Sequence, residues 1–297
     1  MKIASILSFA VILFFTACKN DQPKFDASGT FETEETIISS EASGTLKQFD
    51  ISEGQVLQEG QFVGYVDSLQ LYLKRKQLEA QIKAVLSRKP QIATQTASLK
   101  EQLKAAEKER ARVNNMLQAD AATPKQLDDI SAQVEVLKKQ IDAQYSTLDL
   151  SSASITQETL PLQVQIQQLN DQLNKCKIVN PVNGTVLTKY ASLNEVTTTG
   201  KPLYEIADLS SLILRAYVTG NQFSKITLNQ KLKVLVDDGP GKYKEYEGII
   251  EWMSDKAEFT PKTIQTKDER ANLVYAVKIK VKNDGRLKIG MYGEVNF

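Results

Sequence analysis

Three kinds of hydrophobic pattern follow one another along the chain. From Gly44 to Leu69, and again from Gly184 to Leu209, apolar and polar residues alternate in short β-rich runs, which predicts strands joined by tight turns. The two stretches overlay at a constant offset of 140 residues. Gly44-Thr45-Leu46 falls on Gly184-Thr185-Val186 and Val56 on Val196, while Gly60, Val63, Val66 and Leu69 fall on Gly200, Leu203, Ile206 and Leu209. Neither copy is large enough to bury a core alone, because lone hairpins are marginal in water. The copies are therefore expected to pack on each other as one small β-domain assembled from distant parts of the sequence.

Between the copies an apolar residue recurs every three or four positions, the mark of long amphipathic helices. In an ascending arm Ile92, Leu99, Ala106 and Val113 form one heptad row, and Leu103, Arg110 and Leu117 the other. In a descending arm Leu127, Val134, Ile141 and Leu148 stand beside Ile130 and Leu137. The pattern predicts an antiparallel coiled-coil hairpin over 69–176 with its tip near 118–124, where Thr123-Pro124 suits a helix start. Arms of about 50 residues at a rise of about 1.5 Å would project on the order of 75 Å. Pro90 interrupts the ascending arm, and its mirror position through the tip opens Ser151-Ser152-Ala153-Ser154, so a kink or break is expected at that level of both arms. Below it the seam resumes at Leu71, Leu78, Ile82 and Val85, facing Leu162, Ile166, Leu169, Leu173 and Cys176. That places the Cys176 thiol in a packed stripe rather than a reactive site. Past Leu209 strands are expected at Leu212 to Val218, Lys231 to Val236, Tyr246 to Trp252, Leu273 to Val281 and Gly293 to Phe297, five or six antiparallel strands that would close as a small barrel.

The first residues carry a different signal. Lys2 precedes an apolar run from Ile3 to Phe15, which at about 1.5 Å per residue covers roughly 20 Å and falls short of a bilayer core of about 30 Å. It reads as a signal peptide over 1–17, with Thr16-Ala17-Cys18 similar to a bacterial lipobox, although Phe15 stands where Leu is usual. Cys18 would then become the lipidated first residue, with more than one acyl chain as anchor. A polar linker follows to residue 28, and the remaining divisions are 29–68 and 177–209 for the two β-halves, 69–176 for the hairpin and 210–297 for the barrel. Lys and Arg number 37 against 36 Asp and Glu, so no broad field exists to hold nucleic acid. The absence of histidine removes the commonest general base and metal ligand, and two cysteines are too few for a disulfide framework. Asp128-Asp129 and Asp237-Asp238 suit a helix start and a turn better than catalysis. No catalytic residue, cofactor or metal is expected.

This mixed α and β arrangement, with a hairpin inserted in a split β-domain, a barrel after it and a lipid anchor before it, resembles the membrane fusion protein family, the HlyD-type periplasmic adaptors. The split repeat is similar to the family's biotinyl/lipoyl-like domain, most specifically at Ile178-Val179-Asn180-Pro181-Val182-Asn183-Gly184-Thr185-Val186-Leu187. Arg112, Met116 and Thr123 occupy the spacing of the family's Arg, Leu, Ser tip motif, with Met for Leu and Thr for Ser. The resemblance implies that these residues engage the helical tips of a TolC-like outer-membrane channel. Read from the heptads alone, Arg112 and Met116 project from the flank of the hairpin. The run from Ala257 to Thr266 is similar to a barrel segment of members associated with ABC-type exporters. The end of the chain on the last barrel strand leaves out the membrane-proximal domain of many members, which also favours an ABC-type partner. Implied overall is a non-enzymatic efflux or secretion adaptor that forms a homo-oligomeric ring in the periplasm, held at the inner membrane by lipid. Two other readings are an acyl or carboxyl carrier, which needs a lysine absent from the turns at Ser52 to Gln55 and Ser192 to Glu195, and a coiled-coil lipoprotein that spaces the envelope without transport.

Overall fold

A computed structural model describes residues 25–259 and 273–297. The signal peptide, Cys18 and Thr260 to Thr266 lie outside the described residues. The first repeat forms β2 (Glu35–Ser39), β3 (Gly44–Phe49), β4 (Val56–Leu57) and β5 (Phe62–Val66), and the second forms β6 (Lys177–Val179), β7 (Gly184–Lys189), β8 (Val196–Thr197) and β9 (Pro202–Ala207). Each of the two resulting sheets, β2-β9-β7-β4 and β6-β5-β3-β8, takes strands from both copies. Their pairing is reciprocal: Gly44 pairs with Thr197 and Thr45 with Val196, while Leu57 pairs with Gly184 and Val56 with Thr185. The same exchange appears in the turns, where Gly54 N donates to Val186 O and Asn194 N to Leu46 O, both at 2.8 Å. Gly54 and Asn194 both have positive φ, 81° and 67°, a conformation that Asn tolerates better than most side chains. A pseudo-two-fold domain results, its halves sharing one core of Leu46, Phe49, Leu57, Ile178, Val186 and Leu203 among others.

One buried polar knot ties the halves together. Asn180 is fully buried; its amide donates to Gln58 O at 2.9 Å and also to Val182 O, and its Oδ1 accepts from the Tyr204 hydroxyl at 3.0 Å. Asn180→Ala would strand the Val182 carbonyl and the Tyr204 hydroxyl, each costing roughly 1–3 kcal/mol when left unpaired, while Gln58 O keeps its bond from Gln61 N. The expected outcome is a loss of at least about 2 kcal/mol in denaturant unfolding. Burial also pushes the Tyr204 phenol up to about 12. Its folded value is raised, so its contribution is present below the ordinary tyrosine value near 10 and lost as pH rises towards about 12.

The hairpin comprises α1 (Leu69–Leu86), α2 (Ile92–Gln118) and α3 (Pro124–Lys175). At 52 residues α3 is about 78 Å long. α1 and α2 both lie along it. The named seam positions are the less exposed ones on each helix, with Leu78, Ala106, Val134, Leu137 and Leu148 buried. Thr96 and Thr159 are buried on the seam too, although they are not apolar. Their hydroxyls bond back to Ile92 O at 2.9 Å and Thr156 O at 2.7 Å, which satisfies them without cross-helix partners.

The expected break occurs in one arm only. Pro90 separates α1 from α2, whereas α3 runs unbroken through Ser151 to Ser154 and through Pro161. Pro90 lacks an N–H and disfavours helix at Lys89. The serines cost little, because Ser151 and Ser154 face water and α3 is held along its length by the opposing helices. Instead the seam changes step there: Ile141, Gln144, Leu148 and Ser152 span eleven residues, an interval that locally relaxes the left-handed supercoil. Arg88 bridges the break to Glu158 at 2.7 Å, and nearer the foot Arg75 donates to Asn170 at 3.1 Å. Cys176 ends the hairpin inside the β-domain core, 3% exposed, where burial and then Asp67 push its thiol pKa up.

The barrel closes in the order β1-β10-β13-β12-β11-β14, with β10 (Ser211–Thr219), β11 (Lys231–Asp237), β12 (Tyr243–Phe259), β13 (Leu273–Lys282) and β14 (Tyr292–Asn296). A short α4 (Gly220–Phe223) follows β10. Its first strand corrects the sequence reading: β1 (Ala27–Glu32) covers the end of the expected linker and the start of the expected first β-half. It lies between β10 and β14, with Ala27 and Phe31 buried, and covers edges that would otherwise be unpaired. Gly29 allows this approach, since a Cβ there would lie 2.0 Å from Arg215 O. β12 also runs beyond the expected Tyr246 to Trp252, with bulges after Ile250 and Met253.

Candidate functional site

The hairpin tip is built from two helix ends closed by different devices. At the end of α2, Ala121 N donates to Met116 O at 2.8 Å and Asp120 N to Leu117 O at 3.1 Å, with Asp120 at φ 52°. This is the double bond pattern of a Schellman motif, with Asp in the left-handed position. α3 then starts at Thr123, whose hydroxyl accepts from Gln126 N at 3.4 Å while Gln126 Oε1 accepts from Thr123 N at 2.8 Å. Pro124 follows at the first helical position. The sequence Thr-x-x-Gln carried that capping box in plain sight.

Arg112 and Met116, four residues apart, share one face of α2. Arg112 is exposed and held by Glu109 through two bonds, 2.9 Å from Nε and 2.6 Å from Nη2. The bond to Glu109, ahead of its charge, raises the Arg112 pKa, and the reciprocal bond lowers that of Glu109. Met116 is 38% exposed, with an apolar body beside a fixed cationic fork. Such a pair can bury a thioether against another helix end and offer guanidinium donors to its carbonyls or carboxylates. Thr123 lies across the turn from them, its side chain already occupied by the cap. It therefore contributes to folding through the cap, in keeping with the helix start expected at Thr123-Pro124.

Elsewhere the chemistry is sparse. Among the described residues no three His, Cys, Asp or Glu gather as metal ligands, and no helix is long and apolar enough to cross a membrane. The two repeat turns are closed by Gln55 and Glu195, each accepting from the backbone three residues earlier at 3.0 Å. Neither turn presents a lysine for a carrier group.

No protein-family model matches the chain. Over 185 residues it is 27% identical to a UPF0194 membrane protein of the asrC 5′ region in Acidithiobacillus ferridurans, covering 59% of this chain and 54% of that protein. Over 126 residues it is 32% identical to the UPF0194 membrane protein YbhG of Salmonella gallinarum, covering 42% of this chain and 38% of that protein. The chain thus spans about half or less of the length of the curated relatives it matches. The crystal structure of MacA from Actinobacillus actinomycetemcomitans aligns over 91% of this chain and 78% of that one, with a TM-score of 0.53 at 17% identity. The fold is that of the membrane fusion proteins. Within the membrane fusion fold of this chain, the β-domain connects to the hairpin through β5 and β6 and to the barrel through the links after β1 and β9.

Proposed function

We propose that the chain is a periplasmic adaptor of a tripartite efflux or secretion system. The observation that carries this reading is the pairing of a rigid arm about 78 Å long with an exposed Arg112 and Met116 at its end and a closed barrel at its base. Cys18 anchors the chain by lipid at the inner membrane, the barrel meets an inner-membrane transporter, and Arg112, Met116 and the Thr123 turn dock on a TolC-like outer-membrane channel. Copies gather in a ring whose hairpins together form a conduit, and the transporter supplies the energy. An ABC-type transporter is favoured by the resemblance of the Ala257 to Thr266 run. The chain itself performs no reaction.

The test is isolation of the assembly after chemical cross-linking in intact cells. One complex holding this chain, an inner-membrane transporter and an outer-membrane channel is expected, with an ATPase subunit if the transporter class is right. A chain cross-linked only to envelope structural components would support the spacer reading instead. Cys18→Ser is expected to abolish acylation and release the chain from membranes in cells lacking the transporter and channel. Continued sedimentation with membranes in those cells would contradict the lipid anchor.

A further inference from the structure

The foot of the hairpin holds an open cleft of about 590 Å³, within the size range of small-molecule sites. Its lining includes Phe62 and Tyr65 of β5, Tyr72 and Arg75 of α1, Leu173 of α3 and Lys177 of β6. Phe62, Tyr65 and Tyr72 are 48%, 38% and 42% exposed. Residues three apart on a regular strand point to opposite faces. A bulge between Phe62 and Gly64 instead turns both β5 rings outward, while Val63 and Gly64 between them stay buried.

The β-domain does not need rings at these positions. At the offset of 140 residues the second repeat carries Pro202 and Glu205 where the first carries Phe62 and Tyr65, with the intervening pair buried in both strands. The charge of the cleft is equally particular, since Arg75 and Lys177 are its charged lining residues and no acid joins them. Arg75 is only partly engaged. Its Nη1 donates to Asn170 Oδ1 at 3.1 Å, while its Nε has no hydrogen-bond partner among the described residues and stands 3.4 Å from a Glu79 carboxylate that Lys76 already bonds at 2.9 Å. The guanidinium lies over the Tyr72 ring, 5.2 Å from its centroid. A second cleft of about 610 Å³ between β2 and β6 shows the contrast: it has no ring, and Glu41 and Asp171 line it together with Lys175 and Lys177.

The geometry points to a binding site for a small flat aromatic carboxylate, its ring packed among Phe62, Tyr65 and Tyr72 and its charge held by Arg75 and Lys177. The contacts to Asn170 and Tyr72 set the guanidinium fork before a ligand arrives, so little ordering is left to the binding step. An aromatic cation would meet two like charges. A neutral aromatic would gain the ring contacts and leave both cations without a partner. The site goes beyond the adaptor reading and needs neither a transporter nor a channel, so failure of that reading would leave it untouched.

The test uses the full-length chain in membranes from cells that lack the transporter and the channel, photolabelled with para-benzoylbenzoate, an aromatic carboxylate that carries its own cross-linker. Labelling is expected within residues 62–75 and 170–177. Naphthoate is expected to compete at least tenfold more effectively than the neutral naphthalenemethanol. Arg75→Met removes the charge and keeps the apolar stem, and Tyr72→Leu removes a ring; each is expected to cut labelling at least tenfold with circular dichroism unchanged. Because Arg75→Met also loses the Asn170 bond, Lys177→Met serves as a second charge variant that spares that contact, and a several-fold loss is expected from it. Arg88→Met, at the break farther up the hairpin, is expected to label as the parent does. Labelling confined to other segments, equal competition by the alcohol, or labelling indifferent to Arg75→Met and Tyr72→Leu would overturn the proposal.

Discussion

Arg112→Asp combined with Met116→Asp is expected to abolish export while moving the unfolding midpoint very little. Both side chains leave the hairpin surface, and neither enters a hydrophobic cluster. The folded chain loses one exposed, solvent-screened i,i+3 ion pair with Glu109 and gains acidic charge near the end of α2, small surface effects on folding. Docking is affected far more. A multidentate donor becomes an acceptor of opposite charge, a thioether becomes a second carboxylate, and the change repeats at every copy around a ring. Thr123 is a poorer probe, because Thr123→Ala removes a cap worth about 1 kcal/mol and would mix folding with function. Melting curves and export measured in the same strains separate the two effects. Export at wild-type level from the double variant would contradict the tip assignment.

Removal of Ala93 to Leu148 is expected to abolish transport and leave the two β-domains folded. The deletion takes the whole small cluster of Ala106, Val134 and Leu137 and no member of either β-domain core. The foot stays closed without it, since β5 pairs with β6 and Val66 N donates to Cys176 O at 2.8 Å. α1 still lies on the lower part of α3, where Leu78 is buried and Arg75 reaches Asn170. A shortened chain with the strand signature of the parent on circular dichroism and cooperative unfolding is the expected result. Loss of cooperative unfolding would mean that the outer hairpin stabilises the β-domains, against the modular description.

The repeat was legible because its constant offset survived at glycines and core positions, and the structure converts that offset into reciprocal strand pairing. The hairpin was legible from its heptads, yet Thr96 and Thr159 were missed because a threonine that bonds its own preceding turn can sit in an apolar seam. β1 was missed because Ala27 and Phe31 are its only buried residues, too few to stand out against a polar linker; its partners lie at the far end of the chain. The break was placed correctly in the arm with Pro90 and wrongly in the arm with serines, since exposed serines weaken a helix without removing a backbone donor. At the tip the sequence located Arg112, Met116 and Thr123, and the helix start at Thr123-Pro124, but the double duty of Thr123 needed the capping geometry.

The most direct test of the bridging role is a photo-cross-linking residue at position 116, compared with one at the exposed Tyr145 farther down α3. The account predicts cross-links from position 116 to an outer-membrane channel in living cells and none from position 145. Equal channel cross-linking from both positions, or none from position 116 in cells that export normally, would contradict it.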